Sequence, residues 1–233
     1  MTALRGAEAP PAVVVVTAVK SLDAAKTRFA APGAGRREAV PGLVLAMLRD
    51  TLAAARAVPA VAAVHVVSPD PVVRAAAAKA GAYTVDEPRP GGLNAALAAG
   101  AAAAVAQYDG AVAVLALQAD LPGITAGELG AFLAAANGVR AFVPDRAGTG
   151  TAALYAPAGT ALRPAFGVDS AAAHRAGGAV AHAGPWPGLR TDVDTPEDLA
   201  GALVVGEHTA AALAAADPDI ASNSCGPCAR MER

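Results

Sequence analysis

An acidic residue follows a long apolar run in the middle of the chain. Asp120 comes directly after Ala111–Ala119, which is almost wholly apolar, and Leu-Pro-Gly follows it. A carboxylate at such a position costs free energy to desolvate unless a cation meets it. Mg²⁺ takes carboxylate oxygens as ligands and bridges phosphates. The pattern therefore favours Asp120 as a Mg²⁺ ligand, and the alternative is a turn-forming Asp before Pro-Gly.

Two further carboxylates, Asp192 and Asp194, stand in "GLRTDVDTPEDL". We expect one of them to face the site and the other to cap, or pair with, the helix that follows. A second carboxylate beside Asp120 would hold one or two Mg²⁺ ions over a phosphate, the arrangement used in nucleotidyl transfer. The sequence alone leaves open whether Asp120 and Asp192 meet.

A cationic segment follows the first apolar run, Val13–Val19. It carries Lys20, Lys26 and Arg28, and only Asp23 balances them. Phosphate chemistry requires such cations, because negative charge spreads over the phosphate oxygens during transfer. The chain contains neither the P-loop pattern GxxxxGK[ST] nor a G-x-G-x-x-G after a strand. The segment is a candidate triphosphate site, and the alternative is a solvated charged loop.

Two short segments rich in small polar residues could hold an anion. The first, 148–151, reads Gly-Thr-Gly-Thr and offers unshielded backbone N–H groups that could cradle phosphate or carboxylate, although a plain hairpin is the alternative. In the second, "FGVDSAAAH", Gly167 permits close approach, and Ser170 could cap a helix and leave N–H groups for an anion. We interpret His174 as a structural helix residue rather than a base.

The segment "PRPGGLNAALAAG" opens another helix. Gly92 and Asn94 could lie beneath a nucleotide base or ribose, and the alternative is an ordinary capped loop. At the other end of the chain, Cys225 and Cys228 form a single pair, whereas structural zinc normally takes four ligands. We assign that pair no function.

The elements that must position these residues alternate along the chain. Valine-rich runs predict strands at Val13–Val19, Val61–Ser68, Ala82–Asp86, Ala111–Ala119, Arg140–Pro144, Ala152–Ala156 and Val180–Ala183. Alanine- and leucine-rich segments predict helices at Arg37–Ala57, Pro71–Ala80, Leu93–Gln107, Thr125–Ala136 and Ser170–Ala176. Because the strands do not alternate in polarity, both faces of a mostly parallel sheet should be covered. The fold class is α/β, with ligands expected at the carboxyl ends of the strands.

The 233 residues fit one domain, which we place at 12–205, with a flexible N-terminus at 1–11. Thr195 reads as an N-cap, followed by proline at the first helical position and acids in the first turn. From 206 to 233 the chain is polar and small, and we expect a disordered tail there.

Charge and hydropathy exclude several classes of protein. The net charge is −2 and the pI is near 6.1, so no global basic field invites nucleic acid. No uninterrupted apolar stretch reaches the roughly 18 residues that a membrane span needs. The first residues lack the apolar core of a signal peptide. We expect a cytoplasmic protein, and we leave open a homodimer, because large apolar helix faces could serve either a core or an interface.

Six motifs in order resemble those of one enzyme family. They are "AVKSLDAAKTRF", "GGLNAAL", "LQADLP", "DRAGTGTAAL", "FGVDSAAAH" and "WPGLRTDVDTPEDL". Together, over residues 12–205, they resemble the phosphoenolpyruvate or 2-phospho-L-lactate guanylyltransferases of deazaflavin coenzyme (coenzyme F-420) biosynthesis. The resemblance implies the three-layer nucleotidyltransferase fold of molybdenum-cofactor guanylyltransferases.

The resemblance also implies GTP as donor, Mg²⁺ as cofactor and a small phosphorylated three-carbon acid as acceptor. Asp120 and Asp192 match the metal-binding aspartates of the family. Thr151, Gly167 and Ser170 match the positions that hold the phosphate and carboxylate of the acceptor. The alanine-rich composition resembles the actinobacterial members, for which phosphoenolpyruvate is the expected acceptor.

On the nucleotide side, Lys20, Lys26 and Arg28 match the triphosphate-binding segment of the family. Lys26, together with the two aspartates, is a candidate for catalysis. Asn94 matches a position near the nucleotide, and Gly92 stands beside it.

Three alternatives stay open at this stage. The acceptor could be 2-phospho-L-lactate or 3-phospho-D-glycerate rather than phosphoenolpyruvate. A sugar-1-phosphate nucleotidyltransferase or a small glycosyltransferase would use the same fold, but would need an acceptor pocket with stacking aromatics or several sugar-binding polar groups. A non-catalytic nucleotide-binding regulator would keep the cationic segment without needing both Asp120 and Asp192.

Overall fold

One sheet organises the protein. The structure, a computed structural model, describes residues 12–23, 39–193, 195, 198–199 and 204–216. Within these residues seven strands form a sheet in the order β3-β2-β1-β4-β6-β5-β7. The strands are β1 (Val13–Ala18), β2 (Val61–Val67), β3 (Tyr83–Val85), β4 (Ala113–Leu117), β5 (Ala141–Pro144), β6 (Thr151–Ala156) and β7 (Val180–Ala181). All seven predicted strands are present, most of them shorter by one or two residues at an end.

The central strand β1 pairs in parallel with β2 and with β4. Its valines, 13 to 16, are at most 4% exposed, which confirms that both faces of this strand are covered. Val16 lies opposite Ala116, so Lys20 and Asp120 each follow the paired position by four residues. Both residues therefore leave the sheet at the edge where the parallel strands have their carboxyl ends.

One strand runs against the others. β6 is antiparallel to both β4 and β5, and Leu117 lies opposite Ala153. This pairing brings the first residue of β6, Thr151, beside the carboxyl end of β4. The turn between β5 and β6 therefore closes over the edge at which Asp120 leaves the sheet.

Helices cover both faces of the sheet. They are α1 (Val40–Arg56), α2 (Pro71–Lys79), α3 (Leu93–Gln107), α4 (Ala126–Ala136), α5 (Ser170–Ala176), α6 (Pro187–Arg190) and α7 (Glu207–Ala216). Residues of α1, α2 and α4 share one buried apolar cluster, and residues of α3 and α5 share the cluster on the opposite face. The result is the predicted three-layer α/β arrangement. No helix in the described part of the chain is long and apolar enough to span a bilayer.

Alanine and glycine let α3 lie close to the sheet. A Cβ added at Gly100 would collide with the side chains of Val16 and Val67. α3 begins and ends at the predicted residues, 93 and 107. By contrast α1 begins at Val40 with Ala39 as its N-cap, whereas the predicted start, Arg37, lies outside the described residues.

The predicted disordered tail is wrong for residues 207–216, which form α7. The buried carboxylate of Asp50 in α1 accepts hydrogen bonds from His208 N (3.0 Å) and Thr209 N (2.8 Å), and so caps the first turn of α7. The cap comes from a residue 159 positions away, so the local sequence carries no sign of it. Residues 1–11 and 217–233, including Cys225 and Cys228, lie outside the described residues.

The predicted N-cap at Thr195 is confirmed. Its hydroxyl accepts from Asp198 N (3.2 Å), while the Asp198 carboxylate accepts from Thr195 N (2.9 Å). This reciprocal capping box fixes the chain just after Asp192.

Candidate functional site

Asp120 stands at the carboxyl end of β4, on a backbone that is anchored from both sides. The hydroxyl of Thr51 in α1 lies within hydrogen-bond distance of the carbonyl oxygen of Ala119, at 3.3 Å. The next turn contains Gly123, where an added Cβ would lie 2.5 Å from the carbonyl oxygen of Val204. Asp-Leu-Pro-Gly therefore forms a turn into which a later segment of the chain packs, and the glycine is needed for that approach.

Asp192 is brought to Asp120 by one backbone contact. Val193 N donates a hydrogen bond of 3.0 Å to the carbonyl oxygen of Asp120. Val193 is itself 1% exposed and packs with Val40 and Met47, which buries the segment that carries Asp192. Asp120 and Asp192 both line a cleft of about 500 Å³ at this edge of the sheet. Asp194 lies outside the described residues.

The cleft also contains the residues expected to hold the acceptor. It is lined by Thr151, Gly167 and Ser170 together with the two aspartates, and further by Gln118, Asp145 and Thr149. Sequence reasoning did not select Gln118 or Asp145. Gln118 follows β4 directly, and its side-chain amide lies 3.3 Å from the carbonyl oxygen of Thr151.

The Gly-Thr-Gly-Thr segment does not offer its backbone N–H groups to the cleft. The carboxylate of Asp145 accepts from Gly148 N (2.6 Å), Thr149 N (3.1 Å) and Gly150 N (3.0 Å). The predicted cradle therefore does bind a carboxylate, but one that belongs to the chain itself. The plain hairpin, which we gave as the alternative, is the better description. An Asp three residues before the first glycine, near enough to accept from the N–H groups of the turn, is the signal that could have revealed this.

The hairpin is also fixed from outside. Arg190, in α6, donates from Nε to the carbonyl oxygen of Pro144 (3.1 Å) and from Nη2 to that of Asp145 (2.9 Å). Since Arg190 precedes Asp192 by two residues, this contact couples the position of the hairpin to the position of the aspartate.

We expected that Ser170 could cap α5, but the structure shows that it does not. The N-cap is Asp169, with φ of 54°, and Ser170 is the first helical residue. The N–H of Ser170 donates to the carbonyl oxygen of Gly167, and that of Ala171 to Thr149, so neither is available to an anion. Gly167 has φ of 134°, in the region that favours glycine, and a Cβ there would meet nothing within 4 Å.

The hydroxyl of Ser170 instead belongs to a buried network. It lies 3.1 Å from the hydroxyl oxygen of Thr151, which in turn lies 2.9 Å from Nδ1 of His174. The other ring nitrogen, Nε2, accepts from the N–H of Ala165 at 3.0 Å. All three side chains are at most 2% exposed. His174 is therefore structural, as predicted, but it contacts a residue of the cleft.

The pKa of His174 is lowered to about 4, because burial disfavours the charged ring and the nearby Arg140 guanidinium repels it. The ring is thus neutral near pH 7. Arg140 also donates to the carbonyl oxygens of Ala161 (2.7 Å) and Arg163 (3.0 Å), which fixes the loop that precedes Ala165.

Asn94 has a different contact from the one we expected. Its amide oxygen accepts from Phe166 N (2.8 Å) and its amide nitrogen donates to Phe166 O (2.9 Å). This reciprocal pair holds the segment that carries Gly167. Gly92 is the N-cap of α3 and donates to the Glu87 carboxylate (2.8 Å). Neither residue is among those that line the cleft, although Leu93 is.

Of the cationic segment, the structure describes only the start. Lys20 is exposed just beyond the end of β1, while Lys26 and Arg28 lie outside the described residues. The entry to the segment is fixed, because Leu22 N donates to the carboxylate of Asp70 at 2.9 Å. Asp70 also caps α2 through Val72 N (2.8 Å), so one side chain holds two elements at the same edge of the sheet.

The donor set of the cleft fits Mg²⁺. Four aspartates line it: Asp145 accepts three backbone N–H groups and Asp169 is the N-cap of α5, whereas Asp120 and Asp192 are the predicted metal ligands. Oxygen is the ligand that this hard cation prefers. Among the described residues no group of three or more His, Cys, Asp or Glu side chains is arranged as a metal site. A pair of carboxylates suits Mg²⁺, which is commonly bound by one or two carboxylates with water and substrate phosphates completing the shell.

Comparison with known proteins gives consistent matches. The MobA-like NTP transferase domain matches residues 45–182. The phosphoenolpyruvate guanylyltransferase of Mycolicibacterium paratuberculosis is 49% identical over 211 residues, covering 87% of this chain and 93% of that protein. The enzyme of the same name from Geodermatophilus obscurus is 51% identical over 208 residues, covering 87% of this chain and 94% of that protein.

Solved structures share the fold at low sequence identity. A candidate nucleotide-diphospho-sugar transferase from Desulfovibrio desulfuricans G20 has a TM-score of 0.60 at 16% identity, covering 90% of this chain and 97% of that one. A 4-diphosphocytidyl-2C-methyl-D-erythritol synthase has a TM-score of 0.55 at 14% identity, covering 82% of this chain and 96% of that one. At this sequence identity the two matches show a shared fold.

Proposed function

We propose that this chain, which belongs to the phosphoenolpyruvate guanylyltransferase family of MobA-like NTP transferases, transfers GMP from GTP to phosphoenolpyruvate in coenzyme F-420 biosynthesis. A phosphate oxygen of phosphoenolpyruvate bonds to the α-phosphorus of GTP. The bond between that phosphorus and the oxygen that bridges the α- and β-phosphates breaks, and its electron pair leaves with pyrophosphate. The products are enolpyruvyl-diphospho-guanosine and pyrophosphate.

One observation carries this proposal. The two carboxylates Asp120 and Asp192 and the two hydroxyls of Thr151 and Ser170 line the same cleft, at the carboxyl ends of parallel strands. Carboxylates suit a metal that binds phosphates, and hydroxyls suit the oxygens of a small acid. Both sets line one space, and transfer between two phosphates requires that both substrates be held together.

Asp120 and Asp192 would hold Mg²⁺ in the cleft. When bound, the metal neutralises phosphate charge and so reduces the repulsion between two anionic substrates. The chain holds the two carboxylates ready for it through the Val193–Asp120 backbone bond and the burial of Val193.

Lys20, Lys26 and Arg28 would contact the triphosphate, and Lys26 is the candidate for catalysis among them. Lys20 leaves the sheet at the same edge as Asp120, which supports this part of the proposal. Thr151, Gly167 and Ser170 would hold the acceptor. Its phosphate is already ionised at neutral pH, so the step needs no general base, in agreement with a His174 that is buried and neutral.

The test is pyrophosphate release from GTP and Mg²⁺ with phosphoenolpyruvate, 2-phospho-L-lactate and 3-phospho-D-glycerate each offered separately. We expect release with phosphoenolpyruvate. Release with only one of the other two acids would keep the reaction and overturn the acceptor. GTP binding without release for any of the three acids would overturn the enzyme and favour a nucleotide-binding regulator.

A further inference from the structure

We infer that His174 is a positioning residue for the acceptor: it determines whether the Thr151–Ser170 pair keeps a hydroxyl hydrogen that can point into the cleft. The inference rests on the proposed function, because its kinetic test measures the KM for the acceptor. It goes further, because it assigns a task to a buried side chain that contacts no substrate.

The first step is the tautomer of the ring. Ala165 N–H points at Nε2 from 3.0 Å, and an amide can only donate. Nε2 must therefore accept, so in the neutral ring the hydrogen is on Nδ1. The lowered pKa of His174 agrees with a neutral ring, although the tautomer follows from the position of Ala165 alone.

The second step is a count of hydrogens. Nδ1–H lies 2.9 Å from Oγ of Thr151, so the threonine oxygen accepts there. The Thr151 and Ser170 hydroxyls are 3.1 Å apart, and the bond between them uses one of their two hydrogens. One hydrogen is left. Because both residues line the cleft, that hydrogen is the donor that the pair offers to an acceptor oxygen.

The opposite tautomer would remove this donor. With the hydrogen on Nε2, Thr151 would have to donate its own hydrogen to Nδ1, and the Ser170 hydrogen would be taken by Thr151. Neither hydroxyl would then donate to the cleft. The N–H of Ala165 thus determines, through the ring, whether the cleft presents a donor or only lone pairs to an anion.

This hydroxyl donor matters because several backbone N–H groups beside the cleft already donate to acceptors of the chain itself. The N–H groups of Gly148, Thr149 and Gly150 donate to Asp145, and those of Ser170 and Ala171 donate to backbone oxygens. A hydrogen bond to a charged oxygen is worth more than one between neutral groups. Loss of this single donor should therefore weaken acceptor binding more than GTP binding.

Two isosteric substitutions separate positioning from packing. In His174→Asn the amide nitrogen can replace Nδ1–H toward Thr151, while the partner of Ala165 N is lost. In His174→Gln the longer side chain can reach Ala165 N, while the donor toward Thr151 is lost. We expect His174→Asn to lower the unfolding midpoint more than His174→Gln does. We expect His174→Gln to raise the acceptor KM by about tenfold or more. The KM for GTP should change little in either variant.

If His174→Asn instead shows both the larger fall in unfolding midpoint and the larger rise in acceptor KM, His174 is only structural and the inference is overturned. A direct measurement does not depend on activity: ¹⁵N chemical shifts of the ring nitrogens of the full chain at pH 7, with the His174 signals assigned from their absence in His174→Asn. The Nδ1–H tautomer supports the inference, and the Nε2–H tautomer or a charged ring overturns it.

The two proposals can fail separately. Should another of the three acids prove to be the acceptor, its KM replaces that of phosphoenolpyruvate, and the comparison of the two variants is unchanged. Should none support pyrophosphate release, the proposed function fails and so does the link to an acceptor, whereas the ring tautomer still tests whether the Thr151–Ser170 pair keeps a free hydroxyl hydrogen.

Discussion

The amide of Val193 donates to the main-chain carbonyl of Asp120 at 3.0 Å, so two aspartates that lie 72 positions apart in sequence, Asp120 and Asp192, approach the same cleft. The contact is between backbones, and neither carboxylate has to take part in it. The side chains can thus be exchanged without removing the bond that places them.

From this relationship we predict that Asp120→Asn and Asp192→Asn each reduce turnover by about 10²-fold or more, while the unfolding midpoint changes little. The physical reason is that an amide oxygen carries no charge to hold Mg²⁺. Turnover is measured as pyrophosphate release over a Mg²⁺ titration.

Asp109→Asn is the matched control. Asp109 is exposed in the turn after α3 with φ of 50°, a conformation that asparagine also adopts. Near wild-type turnover in either site variant would contradict the metal assignment for that residue.

A second prediction concerns Asn94. In the wild type the amide nitrogen of Asn94 donates a hydrogen bond of 2.9 Å to the carbonyl oxygen of Phe166. In Asn94→Asp this donor is replaced by a carboxylate oxygen, which repels that carbonyl oxygen. The segment that carries Gly167 should shift, and the acceptor KM should rise by about tenfold, with a much smaller effect on the KM for GTP. Steady-state kinetics with each substrate varied in turn measure both constants. Asn137→Asp, at an exposed C-cap, is the control. A rise in the KM for GTP alone would restore the nucleotide-side assignment of Asn94.

A third prediction concerns acid. His174 has a pKa of about 4 in the folded chain, against a usual value of 6.5. Between these pH values the unfolded chain binds a proton that the folded chain does not, so the free energy of unfolding falls as pH decreases through this window. The stabilisation is fully present above pH 6.5 and about 3 kcal/mol is lost by pH 4.

The measurement is urea unfolding at several pH values for the wild type and for His174→Asn. Subtracting the two curves removes the titration of all other groups, including His65, whose pKa burial also lowers. We expect the difference between the two proteins to shrink as the pH falls. Parallel curves would show that His174 does not titrate as described.

A fourth prediction concerns the helix that the sequence did not reveal. Asp50→Ala removes the acceptor for His208 N and Thr209 N at the start of α7. We expect a loss of about 2 kcal/mol in the free energy of unfolding, measured by urea denaturation. Glu207→Gln, which changes an exposed acid in the same helical turn, should change it by only about 0.5 kcal/mol. Equal effects would mean that the carboxylate of Asp50 contributes no more than a surface charge.

Much of the fold could be predicted because its determinants are local. The unalternating valines of β1 predict a strand covered on both faces, and Thr125 with Glu128 forms a capping box at the start of α4. Candidate site residues at strand ends could be selected in the same way, since Asp120 directly follows an apolar run. Thr151, Gly167 and Ser170 were selected together through their motifs, and the structure gathers them in one cleft.

What the sequence did not predict depends on contacts between distant residues. The cap of α7 comes from Asp50 in α1, and Asn94 reaches a loop 72 residues away. The role of Asp145 was missed for a different reason. A glycine-rich turn that binds a substrate and one that binds its own aspartate use the same glycines, so only the position of the carboxylate distinguishes them.

That aspartate has a consequence for the energetics of binding. With three amides held by Asp145 and its backbone held by Arg190, the hairpin at 145–150 has its shape before any substrate arrives. Little conformational entropy remains to be lost on that side of the cleft when an acid enters. A small acceptor, with few atoms to contribute contacts, gains most from a wall that is already ordered.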